Sequence, residues 1–175
     1  REERTGFPEV VFGQGKTAEE IRQAVSGIAE RSGKALATRV DESVGESIAK
    51  QIENAEWHPR CRCISVDRTG TNPEGSVAIV CAGTSDLPVA QEALLTARLA
   101  GADAQLIVDV GVAGLHRILA HRETLQNCSA IVVVAGMEGA LPSVVAGLVS
   151  APVIAVPTSI GYGASLNGEI GRAHV

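Results

Sequence analysis

The chain has 175 residues, enough for one ordinary domain and a smaller appendage with a continuous apolar core. Its net charge is −5, and acidic and basic residues alternate, so a basic stripe for nucleic acid is missing and the sparse aromatic residues offer no base-stacking platform. Without an apolar run near the ~20 residues of a membrane span, or the basic start of a signal peptide, we expect a cytoplasmic protein that binds no membrane.

Charge divides the sequence into two parts. Residues 1–75 carry 24 of the 35 charged side chains, and their last nine residues, 67–75, form a segment rich in turn-forming residues at the boundary. We therefore predict a small N-terminal α+β domain over residues 1–70 and a larger domain over 76–168. The last residues, 169–175, are predicted to form a tail outside the two domains.

The first part begins with a helix signal. Thr17 and Glu20 form the pattern of a capping box, which predicts a helix to about Arg31 with its apolar stripe formed by Ile21, Val25 and Ile28. Residues 35–40 and 63–66 have strand character and flank a second helix around 44–54. These elements suggest a small αβαβ unit.

The second part alternates short apolar runs with helical segments. The runs 77–82, 105–109, 130–135 and 153–156 are β-branched and nearly free of polar residues, as in strands buried on both faces. Helices are predicted over 87–100, about 113–126 and about 140–149. This alternation predicts right-handed crossovers and a three-layer αβα domain with a parallel sheet, of the flavodoxin-like type.

The first Gly-rich corner, Gly83–Asp86, lies between a predicted strand and a helix. Free amides at that helix start, together with the hydroxyls of Thr84 and Ser85, are suited to an anion such as phosphate. Gly83 permits close backbone approach to a ligand. The alternative is that Ser85 or Asp86 only caps the helix.

The second corner places His116 and Arg117 in the first turn of a helix after the second strand. A histidine near the positive helix end is suited to proton transfer as a neutral imidazole, and Gly114 precedes it in the corner. The alternative is a surface histidine beside a cap, the interpretation given to His121.

The third and fourth corners follow the next two strands. Glu138 lies between Gly136 and Gly139, where a carboxylate can reach a ligand or a divalent cation, or else cap the following helix. Residues 157–165, which include Ser159, mix hydroxyls with glycines and are predicted to form a flap over the substrate. Ligands of open α/β sheets bind beyond the carboxyl ends of the strands, so these corners predict one shared small-molecule site.

The four cysteines lack the paired spacing of a zinc site. Cys61 and Cys63 are separated by one residue and have no second pair to complete a tetrahedron. We expect Cys61, Cys63, Cys81 and Cys128 to be buried, reduced thiols.

Read in order, the corners resemble the aminoimidazole ribonucleotide carboxylase (PurE-like) family. The resemblance rests on Gly83–Asp86, the His116–Arg117 pair, the stretch from Gly136 to Pro142, and 152–157. It is closer to the LarB branch, the carboxylases and hydrolases of nickel-pincer nucleotide cofactor biosynthesis. Segments 4–17, 82–90, 109–117, 134–145 and 155–165 are similar to that branch, and the similarity spans about 1–168.

The resemblance implies a reaction on nicotinic acid adenine dinucleotide. CO2 would be added to the pyridinium ring and the phosphoanhydride cleaved, giving pyridinium-3,5-biscarboxylic acid mononucleotide and AMP. The family also implies a homo-oligomer, with a dinucleotide as small-molecule partner and Mg²⁺ or another divalent cation as cofactor. Roles carried over by motif are catalysis for Asp86, His116 and Arg117, substrate binding for Gly83, Thr84, Ser85, Gly114, Gly136, Gly139, Ser159, Lys16 and Arg39, and metal binding for Glu138.

Two other functions remain open from the sequence. One is an aminoimidazole ribonucleotide carboxylase or mutase of purine biosynthesis, although purine-branch proteins generally begin near the first parallel strand and do not need residues 1–75. The other is a nucleotide-binding regulatory module without chemistry.

The resemblance also implies a cysteine on a helical segment beyond residue 165 that adds to the pyridinium ring. This chain stops before that segment, and 169–175 do not resemble the family. We therefore expect the polypeptide as given to be inactive in ring carboxylation, and its full-length parent to be an enzyme.

Overall fold

The computed structural model describes Phe7 and residues 9–159. These residues divide into two compact units, one reaching to Asn72 and including Arg98–Gly101, the other holding Pro73–Ala97 and the residues from Ala102 onward. Within the described residues, the structure has no helix of the length and apolarity needed to cross a bilayer.

The first unit is a mixed four-stranded sheet with two helices packed against it. In chain order its elements are β1 (Val10–Phe12), α1 (Ala18–Ser32), β2 (Lys34–Thr38), α2 (Glu42–Lys50), β3 (Ala55–His58) and β4 (Cys63–Asp67). The strand order is β1-β2-β4-β3, with β1 and β2 parallel and the other pairs antiparallel. The sequence predicted β2, β4 and both helices but missed the edge strands β1 and β3.

The N-terminus of α1 confirms the predicted capping box. The Glu20 amide donates to Thr17 Oγ1 at 3.3 Å, and the Thr17 amide donates to Glu20 Oε2 at 2.7 Å. This bond from the Thr17 N–H lowers the pKa of Glu20. The predicted apolar stripe of α1 is buried in the core of this unit.

The second unit is a parallel sheet between helical layers, and it confirms the predicted fold class. Its elements are β5 (Ser76–Cys81), α3 (Leu87–Leu99), β6 (Asp103–Ile107), α4 (Leu115–Ala120), α5 (Arg122–Gln126), β7 (Ala130–Ala135), α6 (Ala140–Ala146) and β8 (Val153–Pro157). Short 3₁₀ turns, Thr84–Asp86 and Val112–Gly114, precede α3 and α4. The strand order is β6-β5-β7-β8, with every pairing parallel.

The alternation of side chains along β5 builds the two apolar layers. Ala78 and Val80 pack in a cluster with residues of α4, α5 and α6, while Ile79 and Cys81 pack in a cluster with residues of α3. The central strands β5 and β7 therefore need apolar residues on both faces.

Two predictions for the second unit need correction. The edge strands β6 and β8 are not buried on both faces, since Asp103 and Gln105 are exposed and Ile154 is 54% exposed. The helix predicted over 113–126 is broken at His121, whose backbone (φ −97°, ψ 8°) separates α4 from α5. Ile118 of α4 and Leu125 of α5 are both fully buried.

Candidate active site

A cavity of about 390 Å³ lies at the carboxyl ends of β5, β6 and β7. In the order β6-β5-β7 the chain places β6 on one side of β5 and β7 on the other, which is the switch point where open α/β sheets bind ligands. The cavity is lined by Ala82, Gly83, Ser85, Asp86, Gly111, Val112, Ala113, Arg117, Ala135, Gly136, Met137, Glu138, Ala140 and Leu141.

Backbone hydrogen bonds join the corners where the strands end. The Gly111 amide donates to the Ala82 carbonyl oxygen at 3.1 Å, and the Ala82 amide donates to the Val134 carbonyl oxygen at 3.2 Å. A Cβ on Gly111 would lie 3.2 Å from that Ala82 oxygen, so the close approach of the two corners favours glycine. The cavity wall is thus fixed by backbone contacts between neighbouring loops.

Asp86 lies inward at the first corner. Its side chain is buried, with Oδ2 accepting from the Gly83 amide at 3.2 Å and Oδ1 accepting from Thr158 Oγ1 at 2.7 Å. The Asp86 carboxylate therefore caps its own turn, and the sequence analysis had left a capping role open for Ser85 or Asp86. The carboxylate also joins the first corner to the end of β8. Ser85 is exposed toward the cavity and keeps its hydroxyl available.

Arg117 contributes the positive charge in the cavity lining. Its Nη1 lies 2.6 Å from Asp109 Oδ2, and its Nε is enclosed with no hydrogen-bond partner among the described residues. Gly114 leaves the space that this guanidinium occupies, because a Cβ there would lie 2.8 Å from Cζ of Arg117. The sequence predicted Arg117 and Gly114 but did not assign a role to Asp109.

His116 does not line the cavity that Ser85, Arg117 and Glu138 share. It is the second residue of α4, and its side chain is exposed. Its catalytic role stays a prediction, and the structure gives it the position of a surface histidine beside a helix start.

Glu138 lies at the third corner and lines the cavity with an exposed carboxylate. Its neighbours Met137 and Gly139 both have positive φ, 52° and 67°, which turns the loop back within three residues. Among the described residues no three His, Cys, Asp or Glu side chains gather into a metal site. Glu138 therefore fits only a cation that draws its other ligands from water and substrate.

The remaining predicted residues are dispersed. Gly83 and Gly136 line the cavity, whereas Thr84, Gly114 and Gly139 belong to the same corners without lining it. Ser159 is exposed next to Thr158, and the rest of the predicted flap, 160–165, lies outside the described residues, as does 169–175. Lys16 and Arg39 are exposed in the first unit, and their substrate contacts stay predictions.

The cysteines are as the sequence predicted. All four are buried thiols. Burial, and next the nearby Asp86 carboxylate, raise the pKa of Cys81 to about 11. Cys81 Sγ donates to the Gly83 carbonyl oxygen at 2.9 Å, so this thiol supports the first corner and is not suited to act as a nucleophile.

The parallel sheet has a cavity at its switch point, lined by a serine, an arginine and a carboxylate from three corners, and this is the candidate small-molecule site. Residues 76–168 match the family model of AIR carboxylase, and residues 1–68 match that of the LarB/PurE-like N-terminal domain. The chain belongs to the AIR carboxylase family as a LarB/PurE-like member, which indicates a carboxylase-type enzyme. An uncharacterized protein of Methanocaldococcus jannaschii is 40% identical over 183 residues, covering 99% of this chain and 72% of that protein.

Proposed function

We propose that this chain binds nicotinic acid adenine dinucleotide for carboxylation of the pyridinium ring and hydrolysis of the phosphoanhydride. The observation that carries the proposal is the shared cavity, in which Ser85, Arg117 and Glu138 come from the corners of three different strands. The match of residues 1–68 to the LarB/PurE-like N-terminal domain supports the LarB branch.

The first corner is the binding site that we assign to phosphate. In the 3₁₀ turn before α3, the amides of Asp86 and Leu87 donate to carbonyl oxygens of the turn, and the Gly83 amide donates to Asp86 Oδ2. The amides of Thr84 and Ser85 and the Ser85 hydroxyl are the donors that remain at this corner for an anion. Both oxygens of Asp86 accept hydrogen bonds within the protein, so donors of the chain itself hold this carboxylate in the corner. The corner therefore offers donors to an anion although it contains a carboxylate.

Glu138 would hold a divalent cation. Mg²⁺ is commonly bound by one or two carboxylates together with water and substrate phosphate oxygens, and a lone exposed carboxylate at the cavity suits that mode. Such a cation neutralises charge on a phosphoanhydride during hydrolysis. Glu138 would supply an anionic oxygen ligand from a loop in which both of its neighbours have positive φ.

A purine-pathway aminoimidazole ribonucleotide carboxylase is the second candidate. It is favoured by the match of residues 76–168 to AIR carboxylase. The N-terminal match to the LarB/PurE-like domain favours the first candidate over it.

Ligand titration separates these candidates. We expect nicotinic acid adenine dinucleotide to raise the thermal stability of the chain more than aminoimidazole ribonucleotide or AMP, since a ligand at 100 times its Kd adds about 2.7 kcal/mol to the free energy of unfolding. Preference for aminoimidazole ribonucleotide would support the second candidate, and a response to AMP alone would indicate a regulatory nucleotide site.

Paired variants link binding to the cavity. Ser85→Ala is expected to weaken dinucleotide binding about tenfold, in line with the loss of one hydrogen bond to a charged group. Ser143→Ala, at an exposed serine of α6 that does not line the cavity, is the matched control and should bind as the wild type does. Equal affinity in both variants would contradict the assignment of the first corner.

Glu138→Gln tests the cation. It should abolish the Mg²⁺-dependent part of dinucleotide binding while leaving Mg²⁺-independent binding in place. Glu123→Gln, on the exposed surface of α5, is the control. An unchanged Mg²⁺ response in Glu138→Gln would remove this residue from the proposal.

A further inference from the structure

Three loops meet at one edge of the sheet in the first unit. β1 runs parallel to β2, and β3 runs in the same direction as β2 because both are antiparallel to β4. The carboxyl ends of β1, β2 and β3 therefore lie at the same edge, where β4 also begins. The loops at this edge are residues 13–17, 39–41 and 59–62.

Backbone contacts hold these loops against one another. The Gly13 amide donates to the Thr38 carbonyl oxygen at 2.7 Å, which joins the loop after β1 to the end of β2. The Val40 amide donates to the Arg62 carbonyl oxygen at 2.9 Å, and Arg62 Nε donates to the Val40 carbonyl oxygen at 2.9 Å. The three loops therefore form one continuous rim of the sheet.

This rim is basic, although the net charge of the chain is −5. Its loops contain four cationic residues and one acidic residue, Asp41. The four cationic residues are called the basic edge: Lys16, Arg39, Arg60 and Arg62. All four are exposed, and none of them forms an ion pair with another described residue.

The carboxylates beside the basic edge cap helices. Asp41 Oδ1 accepts from the Ser43 amide at 3.0 Å at the start of α2, and Glu20 Oε2 accepts from the Thr17 amide at 2.7 Å at the start of α1. Neither carboxylate pairs directly with a cation of the basic edge. The start of α1 is already capped by its own side chains, so the cations are the groups that an anion would contact here.

Two arginines of the basic edge have a backbone conformation that arginine seldom adopts. Their φ angles are 54° at Arg39 and 55° at Arg62, in the left-handed region that glycine and asparagine occupy more readily. Residues held in such conformations are concentrated at ligand-binding sites. The rim therefore combines unpaired charge with local strain at two of the four cations.

We propose that the basic edge binds a phosphoanhydride, the diphosphate group found in pyrophosphate and in nucleotides, independently of the cavity in the second unit. Arginine donates paired hydrogen bonds to phosphate oxygens, and lysine adds a point charge. The strand order β1-β2-β4-β3 spreads the basic edge over three strand spacings, about 14 Å, which leaves room for more than one phosphate group. The inference goes beyond the proposed function, because it concerns a second anion site and includes Arg60 and Arg62.

Inorganic pyrophosphate is the probe, titrated by calorimetry into the full chain in buffer without Mg²⁺. We expect Arg39→Asn and Arg60→Gln each to weaken pyrophosphate binding about tenfold, as the loss of a charge-assisted hydrogen bond predicts. Arg31→Gln, at an exposed arginine in the last turn of α1, is the matched control and should bind as the wild type does. The wild-type Kd should rise with added salt, because the cations are exposed.

The Arg39→Asn variant separates binding from folding. Asparagine tolerates the left-handed backbone at position 39 better than arginine, so this variant should be at least as stable as the wild type in urea unfolding while its affinity for pyrophosphate falls. Weaker binding that appears in both variants only together with a loss of stability would indicate a structural role and overturn the inference.

Competition identifies the source of the anion. Displacement of pyrophosphate by nicotinic acid adenine dinucleotide would assign the basic edge to the phosphoanhydride of that molecule, and displacement by ADP alone would assign it to a free nucleotide; either result supports the inference.

Two results would overturn the inference and leave the proposed function intact. One is pyrophosphate binding that is weakened by Ser85→Ala but not by Arg39→Asn or Arg60→Gln, which would place the anion in the cavity. The other is a wild type that binds nicotinic acid adenine dinucleotide but no pyrophosphate. A wild type that binds pyrophosphate at the basic edge but no dinucleotide would instead contradict the proposed function and support this site.

Discussion

Replacing Thr158 with valine tests the buried contact between the end of β8 and the first corner. Thr158 is 3% exposed and Asp86 is 5% exposed, and valine keeps the shape of threonine while removing the hydroxyl that donates to Asp86 Oδ1 at 2.7 Å. Asp86 would retain the single bond from the Gly83 amide. The carboxylate would then be buried with one donor instead of two.

The size of the destabilisation depends on whether Asp86 loses only one hydrogen bond or becomes a buried charge without a partner. A hydrogen bond to a charged group contributes about 1.5–3 kcal/mol, whereas an ion stripped of its partner in a closed interior costs about 3–5 kcal/mol. Asp86 also borders the cavity, so water can solvate it in part, and we expect Thr158→Val to lower the free energy of unfolding by about 2 kcal/mol. The added methyl group offsets little of this loss.

Urea unfolding followed by far-UV circular dichroism measures the change, and hydrogen exchange locates it. The amides of Gly83 and Thr158 should exchange faster, while the Gly13 amide of the first unit, which donates to the Thr38 oxygen at 2.7 Å, should not change. Thr158→Ser keeps the hydroxyl and is the control. A Thr158→Val variant as stable as the serine variant would refute the reasoning that this bond stabilises the corner.

Two further predictions concern Gly45 and Cys81. A Cβ on Gly45 would lie 2.5 Å from ring atoms of Trp57. Overpacking costs about 1–3 kcal/mol, and the gain in helix propensity is about 1 kcal/mol. Gly45→Ala should therefore lower the free energy of unfolding in urea by about 1 kcal/mol. Gly27→Ala in α1, where a Cβ meets nothing within 4 Å, should stabilise instead, and a similar gain for Gly45→Ala would contradict the Trp57 packing. With a pKa of about 11, the Cys81 thiol is about 0.1% thiolate at pH 8, whereas a free thiol is about a quarter thiolate. Alkylation of Cys81, followed by mass spectrometry, should therefore be at least ~200-fold slower in the native protein than in the urea-unfolded chain. Fast alkylation of the native Cys81 would show that its burial is wrong.

The central strands and the capping box could be predicted because their signals are local. β5 and β7 are buried on both faces and therefore consist mainly of apolar residues. The capping box involves only the four residues from Thr17 to Glu20. The edge strands β1 and β3 were missed for the converse reason. Val10 and Phe12 are exposed, and β3 carries Glu56 and His58, so neither strand has the apolar pattern of a buried one.

The candidate site was predicted to the level of its corners but not of its contacts. The sequence singled out Ser85, Arg117 and Glu138, which line the cavity, because each follows an apolar run and a glycine. Their functional roles stay predictions. The bond from Thr158 to Asp86 joins residues 72 positions apart, and local sequence gives no sign of such a pair. The ion pair of Asp109 with Arg117 depends on a positive φ at Asp109, which aspartate permits but does not require.

The order of strands in the second unit has a kinetic consequence. β5 comes first in the chain and pairs with both β6 and β7, so the local β5-α3-β6 crossover can form before β7 docks from about fifty residues away. The third corner follows β7, so we expect the ligand cavity to be completed late in folding. A bound substrate would therefore slow the unfolding of the native protein and leave its rate of folding unchanged.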